Sequence, residues 1–260
     1  MILAVDIGNS SVIIGYADDN SQQIIGRLAA ARHKTEDEYA VDLLRLMELS
    51  GLQPADIKGA IVASVVPPMS ETIRTAIRKV TGKKPLLVGP GVKTGLNILI
   101  DNPGQLGSGL VVNAVAAIEK YPKPLIVIDM STATVISVID REGRYIGGMI
   151  CPGVMISLEA LAAGTSQLPR IGLEAPEKVV GPNTVDAIKS GAVYGSAAMI
   201  DGLIDQIEEE LGEEATLVST GRLSGYVTSY CRRKVVYDES LLLRGLWLIW
   251  KKNQQKGDTV

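Results

Sequence analysis

Residues 2–14 read Ile-Leu-Ala-Val-Asp-Ile-Gly-Asn-Ser-Ser-Val-Ile-Ile: two apolar, β-branched runs enclose the carboxylate of Asp6, then Gly8 and the short polar residues Asn9, Ser10 and Ser11. The pattern predicts a strand, a tight polar turn and a second strand. Gly8 permits a sharp turn and close approach of a ligand, and the successive N–H groups of Gly8, Asn9 and Ser10 can converge on one anion. Asp6 repels phosphate, so a phosphate-binding reading needs a hydrated divalent cation between them, Mg²⁺ with a nucleotide being the natural candidate. Taken singly, the stretch is equally an Asp-Gly-Asn hairpin with no ligand. The chain contains it twice, however. Leu-Ile-Val-Ile-Asp-Met-Ser-Thr-Ala-Thr-Val-Ile at 125–136 repeats it, with Asp129 in the place of Asp6 and Ser131 in that of Gly8, and Ile25-Gly26 is echoed by Ile146-Gly147. A duplicated unit is the economical explanation, each copy opening with three antiparallel strands. The expected architecture is α/β, with domains over 1–121 and 122–260 and a nucleotide in the cleft between them.

The rest of the composition narrows the function by exclusion. A formal charge of −3 over 260 residues carries no electrostatic footprint for nucleic acid. There is no apolar run of about eighteen residues, and no basic start followed by an apolar segment and a cleavage site, so the expectation is a soluble chain without signal peptide or membrane contact. Two cysteines eighty residues apart, Cys151 and Cys231, form neither a disulfide framework nor a metal cluster, which points to the cytoplasm. His33 is the only histidine and lies among charged residues, so Ser-His-Asp chemistry and histidine-rich zinc sites lack material.

Between the motifs, strands and helices alternate. Thr35-Glu36-Asp37-Glu38 is a capping box opening a helix to about residue 50. Gly59–Val66 predicts a buried strand, and Pro67-Pro68 starts a helix to about Thr81. The glycine-rich segment 89–109 is expected to be extended, with a short strand near 96–99. A helix over 108–120 follows, able to present its first N–H groups to a substrate. The second half predicts strands near 124–129, 134–140 and 145–150, a helix to about 161, a long helix over 184–211 with a possible break near Gly191, a strand over 215–219, a turn at Thr220-Gly221-Arg222-Leu223 suited to an adenine or ribose edge, and a last helix over 241–253.

Asp6-Ile7-Gly8-Asn9-Ser10, Thr35-Glu36-Asp37-Glu38, Ala63-Ser64-Val65-Val66-Pro67-Pro68, Asp101-Asn102-Pro103, Asp129-Met130-Ser131-Thr132-Ala133-Thr134, Gly147-Gly148, Pro152-Gly153, Asn183-Thr184 and Thr220-Gly221 occur in an order that resembles the type III pantothenate kinases, over nearly the whole chain. That family sits in the acetate and sugar kinase, heat-shock ATPase and actin superfamily. The resemblance implies two duplicated actin-like ATPase (ribonuclease H-like) domains. It implies transfer of the ATP γ-phosphoryl group to the primary hydroxyl of pantothenate, opening coenzyme A synthesis, with Mg²⁺ and a monovalent cation, K⁺ or NH4⁺. It also implies a homodimer in which the partner covers part of the substrate pocket near Thr165 to Leu168. Residue by residue, the nucleotide would be held by Asp6, Ile7, Gly8, Asn9, Ser10, Ser11, Val12, Ile13 and Thr132, with Mg²⁺ reached from Asp6 through water and the monovalent cation held by Asp129. The acceptor would be met by Thr184 and by the positions of Ile100, Gly107, Ser108, Gly109 and Leu110.

The departures from the family pattern cluster on the acceptor side. Where the family has Gly-Ala-Asp-Arg, this chain has Gly107-Ser108-Gly109-Leu110, so Gly109 stands at the catalytic aspartate and Leu110 at the pantothenate-binding arginine. Ile100 replaces a tyrosine, Ser131 and Arg222 replace glycines of the second phosphate loop and adenine turn, and Arg244 stands where glutamate is usual. The expectation is a pantothenate kinase-like protein with greatly reduced or lost activity, a pseudokinase candidate. The alternatives are a non-catalytic nucleotide- or metabolite-binding paralogue, a kinase for another small hydroxyl acceptor, and a structural dimerisation partner for an intact kinase.

Overall fold

A computed structural model describes residues 1–254; residues 255–260, the end of the expected second domain, lie outside the described residues. In chain order the elements are β1 (Ile2–Ile7), β2 (Ser11–Ala17), β3 (Gln22–Ala29), α1 (Glu36–Leu49), β4 (Ala60–Ser64), α2 (Pro67–Thr81), β5 (Leu86–Leu87), β6 (Asn97–Ile98), α3 (Ser108–Lys120), β7 (Leu125–Met130), β8 (Ala133–Ile139), β9 (Arg144–Pro152), α4 (Val154–Gly164), α5 (Thr184–Leu211), β10 (Thr216–Thr220), α6 (Ser224–Val227), β11 (Val236–Tyr237) and α7 (Leu241–Gln254). Two units are resolved. Among the described residues, the first comprises Met1–Leu96, Asp101–Glu119 and 240–254; the second comprises Asn97–Ile100 and Lys120–Glu239. A single cut at 121/122 therefore describes only one of the chain's passages between units. The sequence pattern gave no warning that the last helix returns to the first.

In the first unit the strand order is β3-β2-β1-β4-β5. β1 and β2 are antiparallel, as are β2 and β3, while β1 and β4 run parallel. β1 is buried along its whole length except at Asp6, because both faces of the sheet are covered. On one face Leu3, Val5, Ile7, Val12, Ile14 and Val62 pack with Tyr39, Leu43 and Met47 of α1 and Ile73 and Ile77 of α2. On the other, Ile2, Ala4, Ile61 and Ala63 pack with Val112 of α3 and Leu242, Leu243, Leu246 and Ile249 of α7. The capping box is present: Thr35 Oγ1 accepts from the Glu38 N–H at 3.3 Å and Glu38 Oε2 accepts from the Thr35 N–H at 2.8 Å. Prolines in the first turn open α2, and Gly82 at φ +68° closes it.

The second unit repeats this plan. Its sheet runs β11-β10-β7-β8-β9-β6, so β9-β8-β7-β10-β11 reproduces the order of the first unit and β6 adds a parallel edge beside β9. The Ile-Gly echo has a structural cause. In both units the pairing of the second and third strands skips one residue, Ile25 between the Gly15↔Ile24 and Ile14↔Gly26 pairs and Ile146 between Ile139↔Tyr145 and Val138↔Gly147. Each skipped isoleucine is a β-bulge. Ile126, Ile128 and Met130 of β7 pack with Ala197, Ile200, Ile204 and Ile207 of α5. α5 runs unbroken through Gly191, capped by Asn183 and ended by Gly212 at φ +74°. The two sheets and their helices form a pair of ribonuclease H-like α/β domains, the expected fold class.

Candidate functional site

The turn after β1 is set by register: Asp6 pairs with Ile13 and Ile7 with Val12. The Gly8 N–H donates to Ser11 O at 2.9 Å. That donor therefore closes the turn, and the expectation that it joins Asn9 and Ser10 in facing an anion is corrected. Asn9 and Ser10 form the exposed tip. A Cβ at Gly8 would approach Ser11 O to 3.2 Å, a tight contact that the turn would have to relieve by a shift of a few tenths of an ångström. Ile7 and Val12 are buried in the core, so of the expected nucleotide contacts these two have only main-chain groups to offer.

The start of α3 is bolted to the end of β4, the strand beside β1. Ser108 Oγ accepts from the Ser64 N–H at 2.9 Å and donates to Ser64 O at 3.0 Å. Ser64 Oγ in turn accepts from Ser70 Oγ at 2.8 Å and from the Val66 N–H at 3.1 Å. Since Ile7 pairs with Ser64, this latch sets α3 against the Asp6 turn. A Cβ on Gly109 would lie 3.9 Å from Asp6 Oδ1, an ordinary contact. Position 109 therefore faces the turn carboxylate, and this chain places no side chain there. Gly107 packs near Val65 and Leu110 is half-buried. Asp101 is exposed, and the turn that follows it is closed through the backbone, by the Gln105 N–H on Asn102 O. Sequence reasoning noted Ala63-Ser64-Val65-Val66 as a motif without giving Ser64 a role; its position as a hub depends on neighbours 6 and 44 residues away, Ser70 and Ser108.

In the second unit Asp129 pairs with Val135 and Met130 with Thr134, making this turn one residue shorter than its counterpart. Ser131 Oγ donates to Asp129 Oδ1 at 2.8 Å, and the Ser131 N–H donates to Ala133 O at 3.1 Å. Thr132 is half-buried, and Gly153 abuts it so closely that a Cβ would meet Thr132 O at 2.0 Å. Gly221 adopts φ +94° with its Cβ position 2.7 Å from Met130 O. Arg222 beside it, at the position where the resemblance has a glycine, is exposed.

Thr184 opens α5 and lines a groove of about 790 Å³ in the second unit, between α4, α5 and the segment before α5. Leu168 lines it too, Thr165 Oγ1 donates to Leu161 O at 2.7 Å, and Ile100 is half-buried beyond β6. Pro152 and Asn183, from the motifs Pro152-Gly153 and Asn183-Thr184, line it as well, while the rest of its lining carries no motif. Burial, and then the Asp201 carboxylate, push the Cys231 thiol up to about 11, so it is not an activated nucleophile. Among the described residues no group of three or more His, Cys, Asp or Glu can hold a metal, and no helix is long and apolar enough to cross a membrane.

The sequence model describing the type III pantothenate kinases matches residues 2–206. Type III pantothenate kinases of Halalkalibacterium halodurans and Bacillus cytotoxicus are 43% and 41% identical to the chain over 253 residues, covering 97% of it and 100% and 97% of those proteins. Among solved structures, a Campylobacter jejuni protein assigned to the Baf family of transcriptional activators aligns with TM-score 0.58 at 20% identity, over 98% of this chain and 100% of that one. The activator of 2-hydroxyisocaproyl-CoA dehydratase from Clostridium difficile, with ADPNP bound, aligns with TM-score 0.55 at 13% identity, over 100% and 98%. At those identities the two structures speak for the fold alone.

Proposed function

Because the chain belongs to the type III pantothenate kinase family, we propose that it binds ATP at the Asp6 turn and phosphorylates pantothenate only at a greatly reduced rate. Family membership supports a pantothenate kinase role in coenzyme A biosynthesis. The reduction rests on one observation: the Cβ position of residue 109 lies 3.9 Å from Asp6 Oδ1, and the residue is glycine.

In this reading the exposed tip of the first turn orients the nucleotide phosphates through main-chain donors. The donor set fits a magnesium ion held mainly by phosphate and water, since the turn offers one carboxylate and no cluster of protein ligands is needed. Such an ion would neutralise charge on the transferring phosphoryl group. Asp129, with one oxygen engaged by Ser131, is the proposed holder of K⁺ or NH4⁺. Phosphoryl transfer depends chiefly on positioning and charge, so a missing base slows it without forbidding it. Base assistance is worth about 10²- to 10⁴-fold. Leu110 further removes a charge-assisted hydrogen bond to the acceptor carboxylate, roughly 1.5–3 kcal/mol, and with it the orientation of the hydroxyl. The reading includes a homodimer in the cytoplasm, without nucleic acid or membrane as partner.

The test is phosphopantothenate formation by the purified chain and by the double variant Gly109→Asp/Leu110→Arg. A carboxylate introduced beside Asp6 feels a like charge, which raises its basicity. The double variant is expected to turn over at least about 10²-fold faster than the wild type. Calorimetry with ATP and Mg²⁺ is expected to show weak binding that Asp6→Asn reduces. Robust turnover by the unmodified chain, or no heat at millimolar ATP, overturns the proposal.

A further inference from the structure

We propose that Arg27 is a phosphate-binding residue: its guanidinium reaches over β2 to the Asp6 turn and holds the phosphates of a nucleotide there, a role that rests on the nucleotide reading above. Across the strands β1 to β5, Asp6 and Arg27 are the only charged residues. The register puts both on one face of the sheet, since Asp6 pairs with Ile13 and Ile13 with Arg27, and directly opposed residues project to the same side. Two strand spacings, about 10 Å, separate their backbones, a gap that an arginine side chain and a phosphate fill between them. Arg27 is exposed, so a ligand can reach it. The Ala30 N–H donates to Ser10 O at 3.2 Å, which fixes the end of β3 against the tip of the turn.

The bulge at Ile25 aims Arg27. Pairing runs from Ala17↔Gln22 to Gly15↔Ile24, skips Ile25 and resumes at Ile14↔Gly26. Continued without the skip, it would set Arg27 opposite Val12, which is buried in the core with residues of α1 and α2. A one-residue shift reverses the face of every later side chain, so the skipped residue turns Arg27 from the core to the Asp6 face. The second unit supplies the comparison. Its own bulge leads to the equivalent series of pairs, Asp129 with Val135 and Val135 with Ile150, so the place of Arg27 is taken by Ile150, 79% exposed. The duplicated fold therefore does not require a cation there. The Asp6 turn does, if it is to hold phosphate: its carboxylate repels the ligand, and the Gly8 N–H is spent on Ser11 O. An arginine offers two parallel donors to a phosphate and offsets its charge.

Calorimetric titration of the full chain with ATP and with inorganic tripolyphosphate, each with and without Mg²⁺, decides the matter. Arg27→Gln is expected to weaken the binding of both probes by at least about tenfold. Arg27→Lys keeps the charge and loses the fork, and is expected to recover part of that loss. Arg27 lies exposed on an outer strand, so neither variant opens a cavity. Without Mg²⁺ the two charges act in opposite directions: Arg27→Gln weakens tripolyphosphate binding, whereas Asp6→Asn removes a repulsion and strengthens it. Equal losses in Arg27→Gln and Arg27→Lys would mark a merely structural arginine and overturn the proposal. So does ATP binding that Asp6→Asn lowers in Mg²⁺ and Arg27→Gln leaves unchanged, a result that keeps the nucleotide reading. Binding of neither probe by the wild type overturns both. ATP binding that Arg27→Gln weakens, with no turnover by Gly109→Asp/Leu110→Arg, upholds Arg27 and sinks the kinase reading instead.

Discussion

A methyl group at position 221 would sit 2.7 Å from Met130 O and 3.0 Å from Asp129 Oδ1, on a backbone at φ +94° that L side chains rarely adopt. Gly221→Ala must therefore either move the turn or distort the end of β7. The expected loss in urea unfolding is on the order of 1–3 kcal/mol, with the Asp129 turn displaced. A variant as stable as the wild type would show that the turn yields freely. Cys231 gives a second test at this scale. Burial and the Asp201 carboxylate hold the thiol neutral up to about 11, against an ordinary value of 9.0. At pH 8 its thiolate fraction in the folded protein is then about 10²-fold below that of the unfolded chain. Alkylation of Cys231 at pH 8, followed by mass spectrometry, is expected to slow by that factor on folding. The sign also fixes a pH trend: stability falls as pH rises from 9 toward 11, because the unfolded state releases the proton first.

Among the elements, α7 buries one whole face against the first unit's sheet. Leu241, Leu243, Leu246 and Ile249 are each 0–1% exposed. They cover the sheet face formed by Ile2, Ala4, Ile61 and Ala63. α7 also holds both tryptophans of the chain, Trp247 and Trp250, stacked at 5.3 Å, with Trp250 seated on Gly59. Tryptophan fluorescence therefore reports the first unit alone. Leu246→Ala is expected to cost about 2–5 kcal/mol through lost burial and the cavity left behind. Its fluorescence-detected midpoint should fall, while the near-UV signal of the Tyr194, Tyr226 and Tyr230 cluster in the second unit moves less. Equal shifts in both signals would mean that the two units unfold as one.

At the scale of the molecule, the sequence was most informative where local chemistry and fold agree. The Thr35–Glu38 capping box, the proline start of α2, the unbroken apolar stripe of α5 and the paired Asp6 and Asp129 turns all lie where patterning puts them. Features built by distant residues were not legible. The Ser64–Ser108 latch spans 44 residues, the groove beside Thr184 is assembled from two helices and a loop, and nothing in residues 241–254 says which sheet they cover. Gly109 was legible as an absence, and its meaning came from the latch that aims it at Asp6. The return of α7 also imposes an order in time. It follows the whole second unit in sequence, so it leaves the ribosome after that unit has been made. Until then the first unit's second sheet face, with Ile2, Ala4, Ile61 and Ala63, has no α7 to cover it and is open to chaperones or to wrong partners. The unit begun first is the one finished last.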